Sequence, residues 1–145
     1  MAKAQPKGKT AKASTKIFVN LPVDDLDRSM EFFRKLGYAF NPQFTDGNAA
    51  CMVISDDIFA MLLRKDFFRT FTQKDISDTR TSTEVLLALS MESRERVDEL
   101  VDMALRAGAT SKKGPMDMGS MYQRSFDDLD GHGWELFWMD PKSIR

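Results

Sequence analysis

A strand, a helix and a set of short strands occur twice in this chain, and that recurrence limits its fold more than any other feature. The first helical pattern covers 26–37, where Leu26, Met30, Phe33 and Leu36 share a face and Gly37 ends it. The second covers 97–108, with Val97, Leu100, Val101, Ala104 and Leu105 as its stripe and Gly108 at its end. Before the first helix, Ile17, Val19, Leu21 and Val23 alternate with Phe18, Asn20 and Pro22, a strand with both faces in use. Asp24-Asp25 puts acids at the start of that helix and Arg34-Lys35 puts bases at its end, as the helix dipole favours. Short strands are expected over 38–44, 48–55 and 58–63, separated by Asp46-Gly47-Asn48 and Asp56-Asp57. The order then returns: a strand over 83–91, a helix capped by Ser93, strands over 110–113 and 120–126, and a last strand over 134–139. The expected fold is α+β, two βαβββ modules in one chain whose sheets form a shared concave surface.

The 145 residues and 42% hydrophobic content suit one paired-module domain over 16–141. Within it, 16–64 is the first module, 65–82 a linker and 83–141 the second module. A net charge of -1 gives no reason to expect nucleic acid as a partner. No apolar run approaches the roughly 18 residues of a membrane span. Cys51 has no second cysteine to pair with, which points to the cytoplasm, and its apolar neighbours mark it as a small buried hydrophobe. Ten methionines suit an adaptable pocket or merely a plastic core. Residues 1–15 carry four lysines and no acid and read as a disordered basic tail, without the apolar stretch of a secretory signal. The linker is long for a connection. It holds Phe67, Phe68 and Phe71 at helix-compatible spacing, an aromatic side to cover a pocket mouth, a second subunit or its own module.

The last strand carries the most chemistry. After the Asp130-Gly131-His132 turn, Trp134, Leu136 and Trp138 fall on one face and Glu135, Phe137 and Met139 on the other. A carboxylate between aromatic neighbours is costly to bury unless a donor or a cation meets it. This turn and strand, with the opening Phe18-Val19-Asn20-Leu21-Pro22-Val23 and Asp25-Leu26-Asp27-Arg28-Ser29, resemble the vicinal oxygen chelate superfamily. That superfamily holds glyoxalase I, the extradiol dioxygenases, the bleomycin-binding proteins and the fosfomycin-resistance enzymes. The resemblance implies that metal-dependent members take one ligand from the first and one from the last strand of each module. Carried onto this chain, those positions are Phe18, Met61, Leu86 and Glu135. One carboxylate beside three apolar side chains does not hold a divalent ion. Asn20 and Glu84 lie two residues from Phe18 and Leu86 on the same strand faces, roughly 6–7 Å away. With Glu135 they form the alternative, non-standard metal site. His132, in the turn and off Glu135's face, is read as bonding to local backbone.

The resemblance then implies a cavity lined by Phe18, Asn20, Phe59, Met61, Leu86, Ala88, Glu135 and Phe137. Tyr122 and Arg124 are expected to face it from the neighbouring strand, with Arg124 beside Glu135 as a buried ion pair. Such a cavity suits a small apolar or aromatic molecule bound without a cofactor, oriented by Asn20 and Glu135. The alternative is a divalent-metal lyase or dioxygenase, lactoylglutathione-lyase-like or extradiol-dioxygenase-like, using Glu135 and non-standard ligands. Glu135 is the candidate catalytic residue, and metal-free acid–base work by it needs a pKa raised by burial. The 114–119 segment reads as a flap or an ordinary surface loop. A homodimer is expected, with Phe67, Phe68 and Phe71 near its interface or the cavity mouth.

Overall fold

The two sequence units fold into two four-stranded sheets built in the same order. The computed structural model describes residues 15–143 apart from position 112, so the basic tail expected over 1–15 lies outside the described residues but for Thr15. The first unit runs β1 (Ile17–Val23), α1 (Leu26–Lys35), β2 (Ala39–Asn41), β3 (Ala49–Val53) and β4 (Ile58–Arg64). A short helix α2 (Lys65–Phe68) and a 3-10 turn (Arg69–Phe71) open the connector. The second unit runs β5 (Leu86–Ser90), α3 (Arg94–Arg106), β6 (Met116–Asp117), β7 (Met121–Asp127) and β8 (Gly133–Met139). The sheet orders are β1-β4-β3-β2 and β5-β8-β7-β6, and in each the first strand pairs parallel with the last. A parallel pair needs a crossover, and α1 and α3 begin the two crossovers.

Ser93 caps its helix as expected, and Asp25, read only as an acid at the helix start, caps the other. Asp25 accepts from Arg28 N at 3.1 Å and Ser93 from Arg96 N at 3.0 Å. Gly37 and Gly108 follow the helices at φ 100 and 113, a conformation that side chains with a Cβ resist. Leu26, Met30, Phe32 and Phe33 of α1 are buried, as are Val97, Leu100, Val101 and Ala104 of α3. They join Leu21, Val23, Ala60 and Leu62 of the first sheet and Phe126, Trp134 and Leu136 of the second in one core. The Phe33 ring meets Trp134 edge-on at 5.4 Å, and Phe32 lies 6.2 Å from Phe126. The first module's helix therefore packs on the second module's sheet. Removing the Phe33 ring is expected to cost about 3–5 kcal/mol.

Three expectations move. The second module's short strand is not at 110–113: Thr110 makes only an isolated bridge to Asp127, and β6 forms inside the 114–119 segment. Gly119, at φ 79, supplies the turn between β6 and β7, and the Arg94 guanidinium holds β6 in place. It donates to both Asp117 carboxylate oxygens at 2.8 and 2.9 Å and to Gly119 O at 2.9 Å. It also lies 5.1 Å from the Tyr122 ring and 5.2 Å from the Trp138 ring. This fork holds the Asp117 carboxyl at about 2. Strand β2 is shorter than 38–44 because Pro42 opens a 3-10 turn that the Asn41 side chain caps at Gln43 N, 2.9 Å. Strand β5 starts at Leu86 rather than 83.

Candidate functional site

The sheet faces turned away from the core hold the residues singled out for binding, except Tyr122 and Arg124. On the first sheet, Phe18 lies opposite Phe59 and Asn20 opposite Met61. The two phenyl rings stack 4.7 Å apart with 10° between planes. A pocket of about 470 Å³ opens beside them over Asn20, Ala49, Met61 and Leu63. Its walls are the 43–46 loop and the aromatics Phe67 and Phe71, whose rings meet edge to face at 5.1 Å. Since α2 follows β4 without a break, those rings are carried directly to the pocket. Phe71 is 63% exposed and Phe44 58%, so both stand at the mouth.

The loop wall is fixed from within. Thr45 Oγ1 donates to Asn41 O at 2.7 Å and accepts from Cys51 N at 3.0 Å. Asp46 accepts from Asn48 N and Ala49 N at 2.8 and 3.1 Å, an Asx turn. Cys51 itself is fully buried, and burial pushes its thiol up, away from the nucleophilic thiolate. The Asn20 side chain has no hydrogen-bond partner among the described residues. An open amide in an apolar pocket is what orients a ligand.

The outer face of the second sheet carries Leu86, Ala88, Glu135 and Phe137. Ala88 pairs with Glu135, and Glu135 with Ser125 on its other side. Glu135 is half-buried and has no hydrogen bond or ion pair among the described residues. Leu86 is 57% exposed. The pocket over the first sheet includes none of these four.

Tyr122 and Arg124 are not on that face, and the expected Arg124–Glu135 ion pair does not form. The register sets Ser125 beside Glu135 and Arg124 beside Leu136, which turns Arg124 towards α3. There its Nη1 donates to Asp98 Oδ1 at 3.0 Å and Asp102 Oδ1 at 2.9 Å. The Tyr122 hydroxyl donates to Asp98 at 2.6 Å, and this bond, with Arg124, lowers the Asp98 carboxyl. Both side chains tie β7 to the helix.

His132 also departs from its reading. Its backbone N–H does bond locally, to Asp128 Oδ1 at 3.0 Å, but its ring is buried and reaches the other module. Nε2 donates to Pro22 O at 2.7 Å, and Nδ1 lies 2.8 Å from Glu84 Oε1. The second contact engages Glu84, which the non-standard metal site required. Sequence spacing gave no hint of this pairing.

Residues 15–55 match the family model for the bleomycin resistance protein-like N-terminal region. A hypothetical protein from S. aureus is 28% identical, with 85% of this chain and 92% of that one covered at a TM-score of 0.73. A glyoxalase/bleomycin resistance protein/dioxygenase family enzyme from Burkholderia phytofirmans PsJN shares the fold at 18% identity, covering 84% and 96%, TM-score 0.70. Over residues 15–55 the chain is similar to the bleomycin resistance protein-like family, and its fold is that of the glyoxalase/bleomycin resistance protein/dioxygenase structures. The fosfomycin resistance protein FosX from Mesorhizobium loti also shares its fold, at 13% identity, covering 90% and 96%, TM-score 0.64. Among curated proteins nothing matches the chain.

The residues present do not fit the metal of the metal-dependent vicinal oxygen chelate proteins. Phe18 and Met61 lie on the first sheet's outer face and Leu86 and Glu135 on the second's, so one carboxylate stands among a phenyl, a thioether and an isobutyl group. No three His, Cys, Asp or Glu side chains among the described residues gather closely enough to hold an ion. No described helix is long and apolar enough to cross a membrane.

Proposed function

We propose that this chain is a vicinal oxygen chelate protein that binds a small apolar or aromatic molecule on the outer face of its first sheet, without metal chemistry. The observation that carries the reading is the pocket over Asn20: apolar Met61 and Leu63 below, Phe67 and Phe71 above, and an Asn20 amide that no described residue hydrogen-bonds. A planar ligand gains area against the rings and a directed hydrogen bond from the amide, and aromatic contacts add about 0.5–1.5 kcal/mol beyond area alone. The pocket is open on one side, and we propose that a second copy of the chain closes it in a two-fold homodimer. The outer face of the partner's second sheet supplies complementary chemistry, with an exposed leucine and a carboxylate that is unpartnered among the described residues.

Ligand-observed NMR on the full chain with phenol, 1-naphthol and benzamide tests the reading. Saturable binding that weakens about tenfold in Asn20→Ala or Phe71→Ala supports it. No binding by any probe, or binding indifferent to both substitutions, overturns it.

A further inference from the structure

We infer a second binding site, for a small molecule carrying a phosphate or carboxylate group, in the cleft where both modules meet the connector. The cleft measures about 710 Å³ and shares no lining residue with the pocket over Asn20. Module one contributes Arg28, the connector Lys65, Arg69 and residues 76–80, and module two Thr110 and the β7–β8 turn.

The argument rests on which charges in it are already spent. Asp24 holds the Lys65 ammonium at 2.7 Å. Asp78 takes the Arg80 guanidinium in a fork, both bonds 3.0 Å. Asp130 accepts from Asp24 N and Ser29 Oγ, each at 2.9 Å, one bond per oxygen. Asp128 accepts from the Asp130 and His132 amides and from Trp134 Nε1. Asp127 is engaged as well. Every carboxylate lining the cleft therefore has its partner.

The bases are not balanced in the same way. The Arg28 and Arg69 side chains make no hydrogen bond or ion pair among the described residues, and the Arg28 guanidinium acts on Asp24 only through its field. Each guanidinium presents up to five N–H donors in a planar fork, a geometry matched to phosphate and carboxylate oxygens. The Ser77 and Thr110 hydroxyls, on the same cleft, are equally free to bond. What the cleft still has to offer is hydrogen-bond donors, the two guanidiniums foremost, so an oxyanion finds partners there that a cation does not.

The wall is preformed. Thr79 Oγ1 donates to Asp130 O at 2.5 Å and pins the connector to the β7–β8 turn. A Cβ on Gly131 would sit 2.6 Å from that oxygen, so the glycine is what lets the two segments meet. A ligand here does not have to order the connector first.

The test is an amide-NMR titration of the full chain with inorganic phosphate and, separately, succinate, against sodium chloride at matched ionic strength. Arg28→Gln and Arg69→Gln are run alongside, both exposed positions whose melting temperature should stay that of the parent. Expected are saturable shifts at residues 24–28, 65–80 and 127–132 and affinity reduced about tenfold or more in each variant. Saturation by phosphate alone or by succinate alone identifies the group recognised. Shifts no larger than chloride produces, or titrations unchanged in both variants, overturn the site. Aromatic binding over Asn20 is read at other amides, so either site can fail without the other.

Discussion

The His132 Nε2 lies 2.7 Å from the carbonyl oxygen of Pro22, a hydrogen bond between residues 110 positions apart. A carbonyl only accepts, so Nε2 carries a proton. With Nδ1 facing the Glu84 carboxylate, both ring nitrogens donate and the ring is an imidazolium. Burial alone pushes the ring's pKa down. The Asp128 charge, the Pro22 carbonyl and Glu84 outweigh it and hold the pKa above its ordinary 6.5. A raised pKa means that the folded state holds the proton more tightly. The stabilisation is therefore complete below pH 6.5 and is lost as pH rises through the folded value. Burial raises the Asp128 carboxyl too, which works in the same direction from 3.8 upward. Urea unfolding should show stability falling above pH 6.5. His132→Gln should lose about 1.5–3 kcal/mol at pH 6 and flatten the slope. A slope unchanged in the variant would assign the effect to other groups.

Gly131 gives a steric counterpart of that clamp. It sits at φ 82 with Thr79 in the space a Cβ would take. Gly131→Ala is expected to destabilise by about 1–3 kcal/mol through backbone strain and the displaced Thr79. Thr79→Ala should not fully restore stability, because the strained φ remains and the bond to Asp130 O is gone. Thermal melts of the single and double variants decide it, and an unchanged melting temperature in Gly131→Ala counts against the close approach.

Local periodicity carried the fold a long way. The alternation in Ile17–Val23 and the stripes of α1 and α3 fix which faces are apolar, and the glycines and caps mark where helices stop. Alternation alone does not say which face of a strand meets the helix, and Tyr122 and Arg124 were misplaced for that reason. The signal was present: closing the hairpin at Asp127 opposite Gly133 makes Arg124 the neighbour of Leu136, a core residue. The placement of β6 was less legible, because it depends on Arg94 reaching Asp117 across 23 positions. The His132–Pro22 contact joins two modules and has no local trace at all. Phe67 and Phe71 were conspicuous as aromatics, but only the direct passage from β4 into α2 brings them over Asn20.

The Arg94 fork should be visible as a titration. A depressed carboxyl pKa contributes stability above 3.8 that is lost as pH falls towards 2. In Arg94→Met the Asp117 carboxyl should move back towards 3.8, read by carbon-detected NMR, and amide exchange over 114–119 should quicken. A hairpin equally protected without the guanidinium would show that it folds on its own.

Glu135 separates the metal-free reading from the alternative. With three apolar residues at the remaining ligand positions, elemental analysis after metal-rich expression should find no stoichiometric transition metal. Because Arg124 is held by Asp98 and Asp102, Glu135→Gln should leave stability within about 0.5 kcal/mol. One ion per chain that disappears in Glu135→Gln would overturn the metal-free reading.

The outer face of the second sheet gives the last prediction. Leu86 stands 57% exposed there beside Ala88, in line with Glu135, whose carboxylate has no partner among the described residues, while Phe18 is exposed on the outer face of the first sheet. If a two-fold dimer sets one face over the other, Leu86 is buried only in the assembly. Leu86→Arg then places a charge in an apolar contact and should shift light-scattering mass at micromolar concentration from dimer to monomer. The Leu86 side chain is exposed and lies over Gly133 of its own chain, so the fold should survive, with circular dichroism unchanged. Aromatic binding should weaken in parallel, because the first-sheet pocket loses the surface that closes it. A parent chain that is already monomeric, or a Leu86→Arg variant that remains dimeric with full affinity, would leave the pocket to be closed by its own Phe67 and Phe71 alone.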